Sequence, residues 1–191
     1  MKRRAFLTAA ALLPALPAWA VRAEQGLFVQ DSPKPLAPLE IRDNEGQPAG
    51  LDRLRGKPIL LNLWASWCMP CVAELPALDR LKPQIEAEGL AVVALCLDRS
   101  GNIGAINTYA RLKLSNLAVH VDTQRKAGEV FGAAVLPTTL LIDAQGNEVA
   151  RFVGPAAWDG PEALALLRAL IRGQKITPQM APPLVKLAPS P

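Results

Sequence analysis

Trp64-Ala65-Ser66-Trp67-Cys68-Met69-Pro70-Cys71, with Glu74 close behind, is the stretch from which the rest of the 191-residue chain can be read. Ahead of it, Pro58-Ile59-Leu60-Leu61-Asn62-Leu63 is a short apolar run with the length of a buried strand. Behind it, Leu75, Leu78, Leu81 and Ile85 recur at three- and four-residue spacing, which marks one face of a helix. The two cysteines therefore fall where a strand ends and a helix begins. A helix N-terminus presents unpaired N–H groups and a partial positive charge, which favours a thiolate at Cys68. The i, i+3 spacing brings Cys71 to the same side of the first turn. Cys68 is thus expected as a partly exposed nucleophile. Cys71, one turn deeper, is expected to be shielded, with the higher pKa and a resolving role. Pro70 falls in the first turn, where a missing N–H is tolerated, and Met69 has no legible role beyond tuning the dipeptide.

A CxxC pair is also half of a zinc site. The remaining soft ligands are Cys96 and His120, and neither belongs to a second closely spaced pair. The tryptophan-flanked strand-to-helix setting favours redox work, with no metal and no cofactor. A purely structural Cys68–Cys71 link would close too short a loop to constrain the chain. Cys96 sits inside the apolar run Leu90–Leu97 and reads as an inert core thiol. His120, alone in a short strand beside Asp122, reads as structural. Trp64 reads as core and Trp67 as an exposed apolar contact.

Half of the residues are hydrophobic (50%), which places the chain among globular proteins with a substantial core. The formal charge of +4 includes Lys2, Arg3 and Arg4; without residues 1–20 there are 18 basic against 17 acidic side chains. The balance therefore implies no nucleic acid. Residues 1–20 have the three parts of an export signal: Lys2-Arg3-Arg4, the apolar run Ala5–Leu13, and Ala18-Trp19-Ala20 as a cleavage site. Arg3-Arg4-Ala5-Phe6-Leu7 also resembles a twin-arginine pattern, so both export routes stay open. Ala5–Val21, interrupted by Pro14 and Pro17, is short for a spanning helix, so membrane anchoring is not expected. Export implies an oxidising compartment.

Along the chain, residues 21–38 carry Pro33, Pro35 and Pro38 and read as a linker. Leu39–Arg42 alternates like an edge strand. After the helix from Cys68 to about Glu88, which contains Pro76, come an apolar strand at Leu90–Leu97 and a helix at Ile103–Lys113. A short strand at Leu117–Val121 and a helix at Thr123–Phe131 follow. Thr138–Asp143 and Glu148–Val153 flank Ala144-Gln145-Gly146-Asn147 and predict a β-hairpin. Gly160–Arg172 reads as a closing amphipathic helix, and residues 174–191 as an extended proline-rich tail. The whole is an α/β pattern around a central mixed sheet.

These residues resemble a family. The element order, Trp67-Cys68-Met69-Pro70-Cys71 and Leu136-Pro137-Thr138-Thr139 are similar to the thioredoxin fold, and more narrowly to its exported TlpA/ResA branch. Asn62 stands where cytosolic thioredoxins would carry a buried aspartate, Glu74 stands where this branch has its glutamate, and residues 103–121 look like its helix–strand insertion. The resemblance covers residues 39–173, between linker and tail. It implies a redox disulfide Cys68–Cys71, a Glu74 that exchanges a proton with Cys71, and a cis bond at Pro137. It also implies a docking surface of Trp67, Leu136 and Pro137.

The function implied is that of an exported, periplasmic thiol–disulfide oxidoreductase. A proline in the second inter-cysteine position is shared with thioredoxins, at about −270 mV, against about −120 mV for strong oxidants, so a reducing site is expected. Its expected partners are disulfide-bearing exported proteins, such as an apocytochrome c or a copper-site protein, and a membrane thiol-electron donor. Two rivals remain: a metallochaperone using Cys68, Cys71 and His120, and a peroxiredoxin-type peroxidase. The threonine-bearing pattern of the latter is replaced here by Trp64-Ala65-Ser66-Trp67.

Overall fold

The computed structural model describes residues 24–99 and 101–185, so the export-signal reading of residues 1–20 lies outside the described residues. The elements in chain order are β1 (Gly26–Pro35), β2 (Ile59–Trp64), α1 (Met69–Ala87), β3 (Ala91–Cys96), α2 (Asn102–Leu112) and β4 (His120–Val121). They are followed by α3 (Ala127–Val130), β5 (Thr138–Ile142), β6 (Asn147–Val153) and α4 (Pro161–Ile171). The strands form one sheet in the order β1-β6-β5-β2-β3-β4. β2, β3 and β4 run parallel, whereas β5 pairs antiparallel with β2 and β6, and β1 pairs antiparallel with β6.

Every residue of β2 and β3 is buried because both faces of the sheet are covered. Side chains alternate across a strand, so β2 feeds two cores. Leu60 and Trp64 join α1 and α4 residues such as Leu75, Leu78, Leu166 and Leu167. Ile59, Leu61 and Leu63 join Ala127 and Phe131 on the other face. Asn62 shares the face of Leu60 and Trp64 and so points at α1, a polar side chain aimed into an apolar layer.

The mixed sheet, the hairpin, the helix after Trp64 and the inserted α2–β4 unit are where the sequence places them. α1 continues through Pro76 and Pro83. Residues on both sides of 39–173 also carry regular structure. The stretch 21–38, read as a linker, contains β1, which covers the edge of β6 with Leu27 and Val29 packed on the core. Its prolines are admissible because an edge strand need not donate on its outer side. The strand expected at Leu39–Arg42 is reduced to isolated pairings of Arg42 with Pro48 and Val121. The proline-rich tail is also not free. Ile176 is buried, Met180 and Ala181 pack on the core, and Leu184 pairs with Ala156.

Candidate active site

β2 delivers the chain to the cysteine loop, and Cys68 is the N-cap of α1. Cys68 and Cys71 are joined as a disulfide, with their Cα atoms 5.3 Å apart. Cys68 Sγ accepts the Cys71 N–H at 3.3 Å. That donor and the helix terminus would favour a thiolate on the released sulfur. Pro70 removes an N–H that would have no intrahelical partner. Cys68, expected to be partly exposed, is buried, at 6% against 0% for Cys71. Of the two, only Cys68 has any solvent-exposed surface. The loop is pinned by Asp98, whose Oδ1 accepts the Ser66 N–H at 2.9 Å. Trp64, in the core as expected, stacks on Tyr109 with ring centroids 5.7 Å apart.

Glu74, one turn beyond Cys71 on α1, is completely buried. Oε1 accepts Asn62 Nδ2–H at 2.7 Å, and Oε2 accepts the Ala156 N–H and the Trp158 indole N–H, each at 3.0 Å. The second Asn62 amide proton goes to Thr139 Oγ1 at 2.9 Å. Burial pushes the carboxyl up to about 7, against the three hydrogen bonds, which favour the charged form. The group is thus poised to hold or release a proton near neutral pH. Asn62 receives the partner that its place in an apolar layer demands. Ala156 and Trp158 were missed by sequence reasoning; a tryptophan in the loop before the last helix was the available signal.

Trp67 and Met69, beside and within the disulfide loop, are exposed at 70% and 71%, so the exposed apolar surface at the cysteines includes Met69 as well as the expected Trp67. The Leu136–Pro137 bond is cis. The β2–β5 register pairs Leu63 with Thr138, so Pro137 lies alongside Trp64 and the cysteine loop. Pro137 is buried and Leu136 half-buried, so of the two only Leu136 is open to solvent. Cys96 is buried, and loss of solvation pushes its thiol up to about 12. His120 lies on the edge strand β4, its Nδ1 near the Ala118 carbonyl at 3.2 Å, and burial lowers its pKa. Among the described residues, no three His, Cys, Asp or Glu side chains gather as metal ligands.

Residues 33–150 match the AhpC/TSA family. The chain belongs to that family. Within it, the chain is similar to a thiol-disulfide oxidoreductase ResA of Bacillus cereus, with 30% identity over 72% of this chain and 74% of the relative. It is 32% identical to ResA of Bacillus thuringiensis (strain Al Hakam) over 60% of this chain. That match spans 65% of the relative, just under two thirds of its length. The crystal structure of the pneumococcal exposed lipoprotein thioredoxin Etrx1 from Streptococcus pneumoniae superposes with a TM-score of 0.59. It shares 30% identity and covers 70% of this chain and 100% of that one. The sheet order and the cysteine loop at the end of β2 are therefore those of the thioredoxin fold.

Proposed function

We propose that this AhpC/TSA-family chain is an exported thiol–disulfide oxidoreductase that reduces disulfides of specific protein partners through Cys68. The observation that carries the reading is Glu74, buried behind Cys71 with a pKa near neutrality, on the helix whose N-terminus holds Cys68. In the reduced protein the Cys68 thiolate attacks one sulfur of the partner's disulfide. That S–S bond breaks, a mixed disulfide forms, and the leaving thiolate takes up a proton. Glu74 accepts the Cys71 proton, and the Cys71 thiolate attacks Cys68 Sγ. The partner leaves with its second thiol, two electrons have passed to it, and the Cys68–Cys71 disulfide remains. A thiol donor, in this reading a membrane one, restores the dithiol.

Trp67, Met69 and the chain at Leu136–Pro137 give the partner an apolar rim on which an extended segment around its cysteine can lie. The ResA names of the relatives and the exposed lipoprotein thioredoxin support action outside the cytoplasm, as does the export pattern of residues 1–20. An apocytochrome c or a copper-site protein is the partner class we favour, because both must present reduced cysteines in an oxidising compartment.

Cys71→Ser tests this directly, because only Cys71 resolves the intermediate. The variant should accumulate mixed disulfides with a small set of exported proteins, whereas Cys71→Ser combined with Cys68→Ala should trap none. Mass spectrometry of the adducts identifies the partners. Empty traps under oxidising conditions, or brisk peroxide turnover by the isolated protein, would overturn the proposal.

A further inference from the structure

The carboxylate of Glu74 is held from one side by a segment that has no strand partner in the main sheet. β6 ends at Val153, and after the bend at Gly154 the chain stays extended only through Pro155–Ala157, so that the Ala156 and Ala157 N–H groups point to opposite sides before the turn at Trp158. The Ala156 N–H turns inward to Glu74 Oε2. The outward-facing groups bond to the C-terminal chain: Ala157 N–H donates to the Pro183 carbonyl at 3.1 Å, and Val185 N–H donates to the Pro155 carbonyl at 2.9 Å. Leu184 forms an antiparallel bridge with Ala156. Gly154, at φ +99°, packs so closely that a Cβ there would lie 3.2 Å from Leu184 Cδ2. The tail reaches this place because Ile176, Met180 and Ala181 fix it on the core upstream.

We propose that Pro182–Val185 is a strap that positions the Ala156 and Trp158 donors on Glu74, making the C-terminal segment a positioning element of the redox site. The proposal rests on the reading of Glu74 as the proton acceptor of Cys71. The loop has other supports. Gly154 N–H donates to the Pro137 carbonyl at 2.9 Å, and Trp158 packs edge-on against Phe152, so loss of the strap loosens the loop without dissolving it. The groups facing Glu74 are Asn62 from β2, with Thr139 of β5 behind it, and Ala156 and Trp158 from the loop, while Cys71 precedes it by one turn of α1. Asp159, next in the chain, is paired instead with Arg80. Donors that drift from Oε2 stabilise the carboxylate less, so the proton should be held to higher pH.

The test uses the disulfide form, in which the cysteines do not titrate and Glu74 is read alone. The Trp158 indole N–H resonance, assigned by its loss in Trp158→Phe, reports the charge on Oε2 across pH. In the full chain its midpoint should lie near 7. A chain ending at Ala181 should move the midpoint up by roughly half a pH unit or more. Full-length Val185→Pro, which removes one donor of the strap, should move it the same way by less, and decides the matter if the shortened chain does not fold. A midpoint that stays put or falls overturns the strap. The thiol alkylation profile of the reduced protein separates the two readings. A raised indole midpoint with an unmoved thiol profile upholds the strap and overturns the proton role of Glu74.

Discussion

Glu74 and Glu148 are both buried carboxylates, the first completely and the second to within 3%, and the protein holds them in opposite ways. Glu148, on β6, grips Arg151 through both oxygens, at 2.6 and 2.7 Å, and takes a further bond from Gln30 of β1 at 2.6 Å. Arg151 in turn donates to the Phe131 and Gly132 carbonyls. The charge of Glu148 is answered by a cation, and the pair ties β1, β6 and the end of α3 together. Among the described residues Glu74 has no such cation as a hydrogen-bond partner, only neutral donors from Asn62, Ala156 and Trp158. Neutral donors offset part of the loss of solvation, and burial still raises the pKa to about 7. An acid left without a counter-charge is costly to ionise, and the chain keeps one on α1, a turn beyond Cys71.

The contrast can be broken first at its stronger half. Arg151→Met leaves Glu148 buried and unpaired, which should lower stability by about 3 kcal/mol. Urea denaturation measures that loss, while the pH profile of thiol reactivity should not move. A loss below about 1 kcal/mol would mean that Glu148 needs its cation no more than Glu74 does.

At Glu74 the effect should depend on pH. Its folded pKa of about 7 lies above the ordinary value of 4.5. The neutral acid therefore supports the fold fully below about 4.5, and that support is lost as pH rises to about 7 and is gone above it. For the disulfide form this amounts to on the order of 3 kcal/mol between the two limits. Glu74→Gln should flatten that slope in urea titrations across pH. In the reduced protein it should also remove the inflection near neutral pH from Cys68 and Cys71 alkylation and slow exchange. A variant with an unchanged slope and unchanged thiol profile would return Glu74 to a structural role.

The readable parts of this chain were those set by local rules. The apolar run before Trp64, the 3- and 4-residue spacing after Cys71 and the Gly-Asn turn at Gly146-Asn147 each specify their element within a few residues. The face on which Glu74 lies followed from spacing; its environment did not. Its two Oε2 donors stand 82 and 84 residues away in sequence, where only the closed sheet brings them near. The same holds at the margins of the domain. Gly26–Val29 becomes a strand because β6, more than a hundred residues later, offers an open edge, whereas Pro33 and Pro35 taken alone suggest a linker. The tail was unreadable for the same reason, since Leu184 has meaning only against Ala156. The exposure of Met69 was not legible, because exposure within a disulfide loop depends on how the loop folds, not on residue type.

The smallest expected effect lies one bond behind the carboxylate. Thr139, buried in β5, accepts one amide proton of Asn62 while the other goes to Glu74. Thr139→Val keeps the branched shape that suits a strand and deletes only the hydroxyl. One Asn62 N–H then loses its partner, which should cost about 1 kcal/mol in urea denaturation. The donors to Glu74 itself remain, so the midpoint of the Trp158 indole resonance should stay within about 0.3 pH units of the parent. There is one way for this to fail. Asn62 Oδ1 has no hydrogen-bond partner among the described residues, so an amide freed from Thr139 could turn over and present that oxygen to Glu74. An acceptor facing Oε1 would favour the protonated acid and raise the midpoint clearly above the parent value. A steady midpoint assigns the poise of Glu74 to its immediate donors and its burial; a raised one makes Thr139 the residue that sets which way Asn62 faces.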